Sequence, residues 1–130
     1  MSAFDALRVA GSGMGMHQTW LDTLGRTLAN LNTVTSTDQD AFQAQMVVAQ
    51  AEPGGGVRVA GLALSDPEGV LTHDPDHPLA DAEGYVRAPA VDMASTMTQL
   101  VMAQRGYQAS VQTTRTAQDV YTAALQIGAR

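Results

Sequence analysis

The sequence predicts an α+β chain: long N- and C-terminal helices paired as a coiled coil, with a small antiparallel β/hairpin segment between them. Three observations predict it. Apolar residues recur every seven positions at both ends, and the middle alternates with a period of two between turn signals. Charge is also split, with nearly neutral ends and an acidic middle.

Residues 1–37 carry Asp5 and Asp22 against Arg8 and Arg26, which cancel. Residues 38–92 carry ten acids against Arg58 and Arg87, for −8, and residues 93–130 carry Asp119 against Arg105, Arg115 and Arg130, for +2. Such a split assigns the ends to burial and the middle to solvent or a partner. Three segments follow: 1–35, the N-terminal helix of an inner coiled-coil domain; 36–92, an acidic β-rich middle; and 93–130, the C-terminal helix of the inner domain.

The first helix is expected over Ser2–Thr33. Leu7, Met14, Leu21 and Leu28 form one row, and Ala3, Ala10, His17, Leu24 and Leu31 the other. Alternating steps of three and four put both rows on one face, the pattern of a coiled-coil seam. Gly11, Gly13, Gly15 and Gly25 each weaken this helix by up to ~1 kcal/mol relative to Ala, so it depends on partners.

The last helix is expected over Met93–Ala129, with Asp92 as its N-cap. Its rows are Met97, Gln104, Val111, Gln118, Leu125 and Met93, Leu100, Tyr107, Thr114, Tyr121. Each helix should reach roughly 45–55 Å. Polar interruptions at His17, Gln104, Thr114 and Gln118 weaken the seam while restricting its register.

Between the helices, Phe42–Val48 alternates as a strand, and Val57–Val59, Val70–Leu71 and Tyr85–Val86 supply three more short ones. Pro53-Gly54-Gly55-Gly56, Ser65-Asp66-Pro67-Glu68-Gly69 and Asp74–Gly84 provide the turns.

Catalytic and ligand-binding classes find little support. Gly11-Ser12-Gly13-Met14-Gly15 has no preceding strand and lies inside a heptad pattern, so it reads as helix rather than a nucleotide loop. His73, Asp74, Asp76 and His77 have metal-ligand chemistry, but Pro75 and Pro78 forbid a regular helix, which favours a proline-stiffened acidic loop. No Gly-x-Ser-x-Gly elbow occurs, and the chain has no cysteine. Trp20 reads as packing beside the seam, and Arg105 and Arg115 as solvated groups or partners for acids on a neighbour. A net charge of −6 with no Lys argues against nucleic acid or an anionic membrane as partner. No window is apolar enough to span a bilayer, and the N-terminus lacks the basic and apolar regions of a signal peptide. Neither a cofactor, a metal nor a small-molecule substrate is expected.

Specific strings then narrow the field. Phe4-Asp5, Ala10-Gly11-Ser12-Gly13-Met14, Leu21-Asp22 and Leu28-Ala29-Asn30-Leu31-Asn32-Thr33 resemble the common start of flagellar rod and hook axial proteins. The run Asp74-Pro75-Asp76-His77-Pro78-Leu79-Ala80-Asp81-Ala82-Glu83-Gly84-Tyr85-Val86, followed by Pro89-Ala90-Val91-Asp92, is similar to proximal-rod members of that family. Ala103-Gln104-Arg105-Gly106-Tyr107-Gln108-Ala109-Ser110-Val111 and Gly56-Val57-Arg58-Val59 strengthen the likeness.

The resemblance implies a non-enzymatic rod subunit of the basal body, exported through the flagellar type III apparatus without a cleaved signal. Its implied partners are copies of itself, the other proximal rod proteins and the rod-to-MS-ring junction protein. Leu7, Met14, Leu21, Leu24, Leu28, Asn30, Leu31 and Thr33 would pack in assembly against Met97, Leu100, Arg105, Tyr107, Val111, Tyr121 and Leu125. Asp74, Pro75, His77, Pro78, Asp81, Gly84, Tyr85 and Pro89 form the family-signature loop. The terminal helices are expected to order only on assembly. The rival class is a soluble helical-hairpin adaptor, which explains the seams but not the acidic β-type middle.

Overall fold

A computed structural model describes residues 2–128. Helix α1 spans Ala3–Ala29. The Ser2 hydroxyl accepts the Asp5 N–H at 3.2 Å, and the Asp5 carboxylate accepts the Ser2 N–H at 2.9 Å, a reciprocal capping box. Donation from the Ser2 backbone and then its hydroxyl, with Arg8 nearby, holds the Asp5 carboxyl below its ordinary range. The helix ends four residues before the expected Thr33, because Asn30 turns its side-chain amide onto the Arg26 carbonyl at 2.9 Å. Thr33 then closes a turn on the Asn30 carbonyl at 3.0 Å. The Asn-x-x-Thr ending of the N-terminal string is therefore a helix stop.

Helix α2 spans Met93–Gly128, 36 residues and roughly 54 Å long; the expected end at Ala129 lies outside the described residues. Asp92 caps it as expected, its carboxylate accepting the Ser95 N–H at 2.7 Å. Among the described residues no helix is long and apolar enough to cross a membrane.

Two separate two-stranded antiparallel sheets fill the middle. Strands β1 (Gln45–Ala51) and β2 (Val57–Leu64) pair from Gln45–Leu64 to Ala51–Val57, with a bulge at Val48/Ala49. The first strand was expected at Phe42–Val48 and begins three residues later. Ahead of it, Ala41 bonds the Pro67 carbonyl at 2.8 Å and Ala44 the Ser65 hydroxyl at 2.8 Å, so residues 41–44 follow the turn rather than a ladder. Strands β3 (Val70–His73) and β4 (Tyr85–Ala88) pair from Val70–Ala88 to His73–Tyr85, and Thr35 adds a bridge to Arg87 on the far side of β4. Gly69 opens this unit at φ +58, where a β-carbon would come within 2.5 Å of Ala41 Cβ and nearer still to the Ala88 carbonyl oxygen.

The two helices run antiparallel. The rings of Phe4 and Tyr121 meet edge to face at 5.1 Å, and the Thr114 hydroxyl lies 3.6 Å from Met14 Sδ. Beyond Ala3, whose side chain lies outside the description, the expected first-helix rows turn inward, with Ala10 and Leu24 buried and Leu7, Met14, His17, Leu21, Leu28 and Leu31 half-buried. Only one expected α2 row does so. Leu100, Tyr107, Thr114 and Tyr121 are half-buried, but Met93 is exposed, as are Met97, Gln104, Gln118 and Leu125 of the other row. The second row of the seam is instead Thr96, Ala103, Ser110 and Ala117, one residue earlier. Small side chains let the axes approach, and Ala103 is completely buried. Apolar periodicity favours the bulky Met97 row and cannot register a seam made of absences.

Candidate assembly surface

The seam is tightest at its centre. A β-carbon on Gly106 would lie 2.5 Å from His17 Cδ2 and closer still to Nε2, while His17 Nδ1 bonds the Gly13 carbonyl at 2.7 Å. Gly13 in turn would place a β-carbon 3.2 Å from the Ser110 hydroxyl. His17, read from the sequence as a polar interruption, is thus a plate filling the gap between two glycines. Gly11, Gly15 and Gly25 have nothing opposite them.

The β1–β2 hairpin lies along a second face of α1. At its tip Arg8 Nη1 donates to the Gly55 carbonyl at 2.9 Å and Nη2 to the Gly54 carbonyl. The Val57 N–H donates to the Ser12 hydroxyl at 3.0 Å, and that hydroxyl donates to the Val9 carbonyl at 2.7 Å. Gly56, at φ +96, sits where a β-carbon would approach Ser12 Oγ to 2.7 Å. At the hairpin base Arg26 donates to the Gln45 side chain at 2.9 Å. The three-glycine turn is therefore a docking surface as well as a reversal.

The signature loop Asp74–Gly84 is organised by Asp81. Its carboxylate accepts the Tyr85 N–H at 2.8 Å, the Glu83 N–H at 3.1 Å and the Thr37 hydroxyl at 3.1 Å. Donation from the Tyr85 backbone is the main cause holding this carboxyl below its ordinary value, against a smaller opposing effect of burial. Gly84 (φ +82) accepts the Asp74 N–H at 2.9 Å. Gly84 and Pro89 are buried, Asp81 and His77 half-buried, and Asp74, Pro75, Pro78 and Tyr85 exposed. The His77 Nδ1 accepts the Leu79 N–H at 3.1 Å, and His73 meets Tyr85 edge to face at 5.0 Å. Among the described residues no three His, Asp or Glu side chains converge as metal ligands would.

Arg87 was not singled out by sequence. Its guanidinium donates to the carbonyls of Glu68 at 2.5 Å and Thr37 at 2.8 Å, while its own N–H and C=O pair with Thr35. Its Nε is buried without a partner. Together with Val86, which is 1% exposed, it ties the β3–β4 unit to the segment following α1. The one available signal was a lone basic residue amid an acidic, apolar run.

Of the residues expected to pack in assembly, Leu24 is buried and Leu7, Met14, Leu21, Leu28, Asn30, Leu31, Leu100, Tyr107, Val111 and Tyr121 are half-buried; Thr33, Met97, Arg105 and Leu125 are exposed. Buried apolar side chains among the described residues are Ala10, Leu24, Ala41, Val86 and Ala103, mostly small. Large ones stand in water along both helices and the β1–β2 hairpin, among them Phe4, Met46, Leu64, Met97, Met102 and Ile127. Apolar exposure on this scale marks interaction surface. Fold and surface are those of a structural subunit that carries exposed apolar faces.

Comparison with known proteins gives that class its family. Residues 82–127 match the family model described as Flagellar basal body rod FlgEFG protein C-terminal. The chain is 36% identical to the flagellar basal-body rod protein FlgC of Yersinia enterocolitica, over 98% of this chain and 99% of that one. It is 35% identical to FlgC of Salmonella typhimurium and 29% identical to FlgC of Bacillus subtilis, over the same shares. The chain belongs to the FlgC family of flagellar basal-body rod proteins, structural subunits of that rod.

Proposed function

We propose that the chain assembles helically through its terminal helices into the proximal rod, forming part of the torque-transmitting axle and of the wall around the export channel. Residues 1–35 and 93–130 supply the inner coiled-coil layer, and residues 36–92 face outward or toward adjacent subunits. The neighbours are further copies, the other proximal rod proteins and the rod-to-MS-ring junction protein. Export runs through the flagellar type III apparatus with no signal removed, and the chain performs no catalysis and holds no cofactor.

One observation carries this reading: a small core of mostly small residues beside long helices whose large apolar side chains lie exposed. A single chain buries too little to offset the conformational entropy of ordering those helices, so contacts between subunits must supply the rest. It follows that the helices are largely disordered in the free chain and order on joining the rod, and the disordered state suits passage through a narrow channel. Repeated heterologous contacts generate an open helical tube rather than a closed ring. Purification of basal bodies tests the assignment. The chain should co-purify with the rod, and recovery only in the soluble fraction would favour an adaptor instead.

A further inference from the structure

We infer that His17 makes the closed α1–α2 pair sensitive to acid: the helices close on a neutral imidazole and are pushed apart when the ring takes up a second proton. This rests on the rod-subunit reading above for the state in which the helices are ordered, and adds a pH dependence to that state.

The tautomer of the ring follows from its partner. A carbonyl only accepts, so the 2.7 Å contact with the Gly13 carbonyl places the single imidazole hydrogen on Nδ1. Nε2 then carries a lone pair, and it is the atom aimed at α2. Of the ring atoms it lies nearest to where a β-carbon on Gly106 would stand, nearer than Cδ2 at 2.5 Å and Cε1 at 2.9 Å. A lone pair fits against the glycine methylene. A second proton would add an N–H pointing into that methylene, with neither an acceptor nor room, and a buried donor without a partner is costly.

The surrounding groups offer that proton no relief. Among the described residues the Gly13 carbonyl is the ring's only hydrogen-bond partner. On α2, the Ser110 hydroxyl is already committed to the Gly106 carbonyl at 3.0 Å, Tyr107 is half-buried beside Gly106, and Arg105 is exposed. On α1, Arg8 reaches to the hairpin tip and exposed Asp22 accepts from Gln18 at 3.0 Å. The hairpin brings Glu52 and Arg58, but it packs on the other face of α1, and Arg58 is tied to Gln50. The Trp20 ring lies 6.3 Å from the imidazole centroid, too far for a cation–π contact to hold the added charge in place. Closure therefore favours the neutral ring. It is complete at neutral pH and weakens as pH falls below about 6, where an ordinary imidazole gains its second proton.

Amide hydrogen exchange in purified basal bodies, corrected for the pH dependence of the intrinsic rate, tests this. Between about pH 7.5 and about pH 5.5, a window above the ordinary carboxylate range, exchange across residues 12–21 and 102–111 should rise roughly tenfold. The other two histidines, His73 and His77, lie in the β3–β4 unit and its loop, away from the seam. His17→Asn keeps a donor for the Gly13 carbonyl but cannot titrate, and His17→Gln is a second variant of the same kind. Both should exchange equally at the two pH values. No acid step in the unmodified chain, or the same step in either variant, would overturn the inference and leave the rod assignment standing. Absence of the unmodified chain from basal bodies at the higher pH would sink both.

Discussion

The imidazole of His17 occupies the space that a side chain on Gly106 would fill, and so sets how closely α1 and α2 approach. A β-carbon there would come within 2.5 Å of His17 Cδ2. Gly106→Ala should therefore destabilise the helix pair by roughly 1–3 kcal/mol, as overpacking does in other close contacts. Thermal unfolding of purified rods carrying the variant, followed by circular dichroism, checks this, because the helices order there. His17→Ala in the same chain should recover much of the loss, so that the double mutant is destabilised by less than the sum of the two single changes.

Glycines away from the seam should behave in the opposite way. Nothing lies within 4 Å of a β-carbon built on Gly15, which sits inside α1. Gly15→Ala should raise stability of the helix pair in the assembled rod by about 0.5–1 kcal/mol, through helix propensity alone. The same thermal measurement distinguishes the two substitutions by sign.

Arg8 ties the tip of the β1–β2 hairpin to α1 through carbonyls of Gly54 and Gly55. Both ends of these bonds are exposed, so Arg8→Ala should cost on the order of 1 kcal/mol. Its clearest sign is local. In assembled rods, amide hydrogen exchange at Val57 and the glycine turn should quicken while the β3–β4 unit stays protected.

Asp81 makes the signature loop sensitive to acid. Its folded carboxyl titrates below its ordinary value because the ionised form accepts the Tyr85 N–H. Its contribution is therefore complete above the unfolded carboxylate's range and is lost as pH falls through the depressed folded value. Exchange protection of the Tyr85 amide should fall in that window. In Asp81→Asn it should show no such acid step, because the amide oxygen does not titrate.

Leu28 packs at the end of the α1 seam, half-buried in the single chain. Leu28→Asp should leave the β3–β4 unit folded but keep the chain out of the rod, since a carboxylate would have to be buried unpaired. Motility of cells carrying only this variant, with recovery of the chain in basal bodies, checks the outcome.

Much of the fold was legible because it rests on large side chains or on turn chemistry. The leucines of α1 announced their seam, Asp92 its cap, and the glycine and proline runs all three reversals. The second row of α2 was not legible, since Thr96, Ala103, Ser110 and Ala117 act by being small and leave no apolar signal. The contacts of Arg8, Ser12 and Arg87 were equally hidden. Their partners are backbone carbonyls and N–H groups, which every residue possesses, so only tertiary placement singles them out. Residues of the signature loop were found as a string, while the role of Asp81 within it came from geometry.

A density map of the purified basal body tests the central claim most directly. The account predicts this chain in the proximal rod, with residues 3–29 and 93–128 in the inner wall and Met97, Leu125 and Ile127 covered by neighbouring subunits. A rod built without the chain, or one in which those side chains still face water, would contradict it.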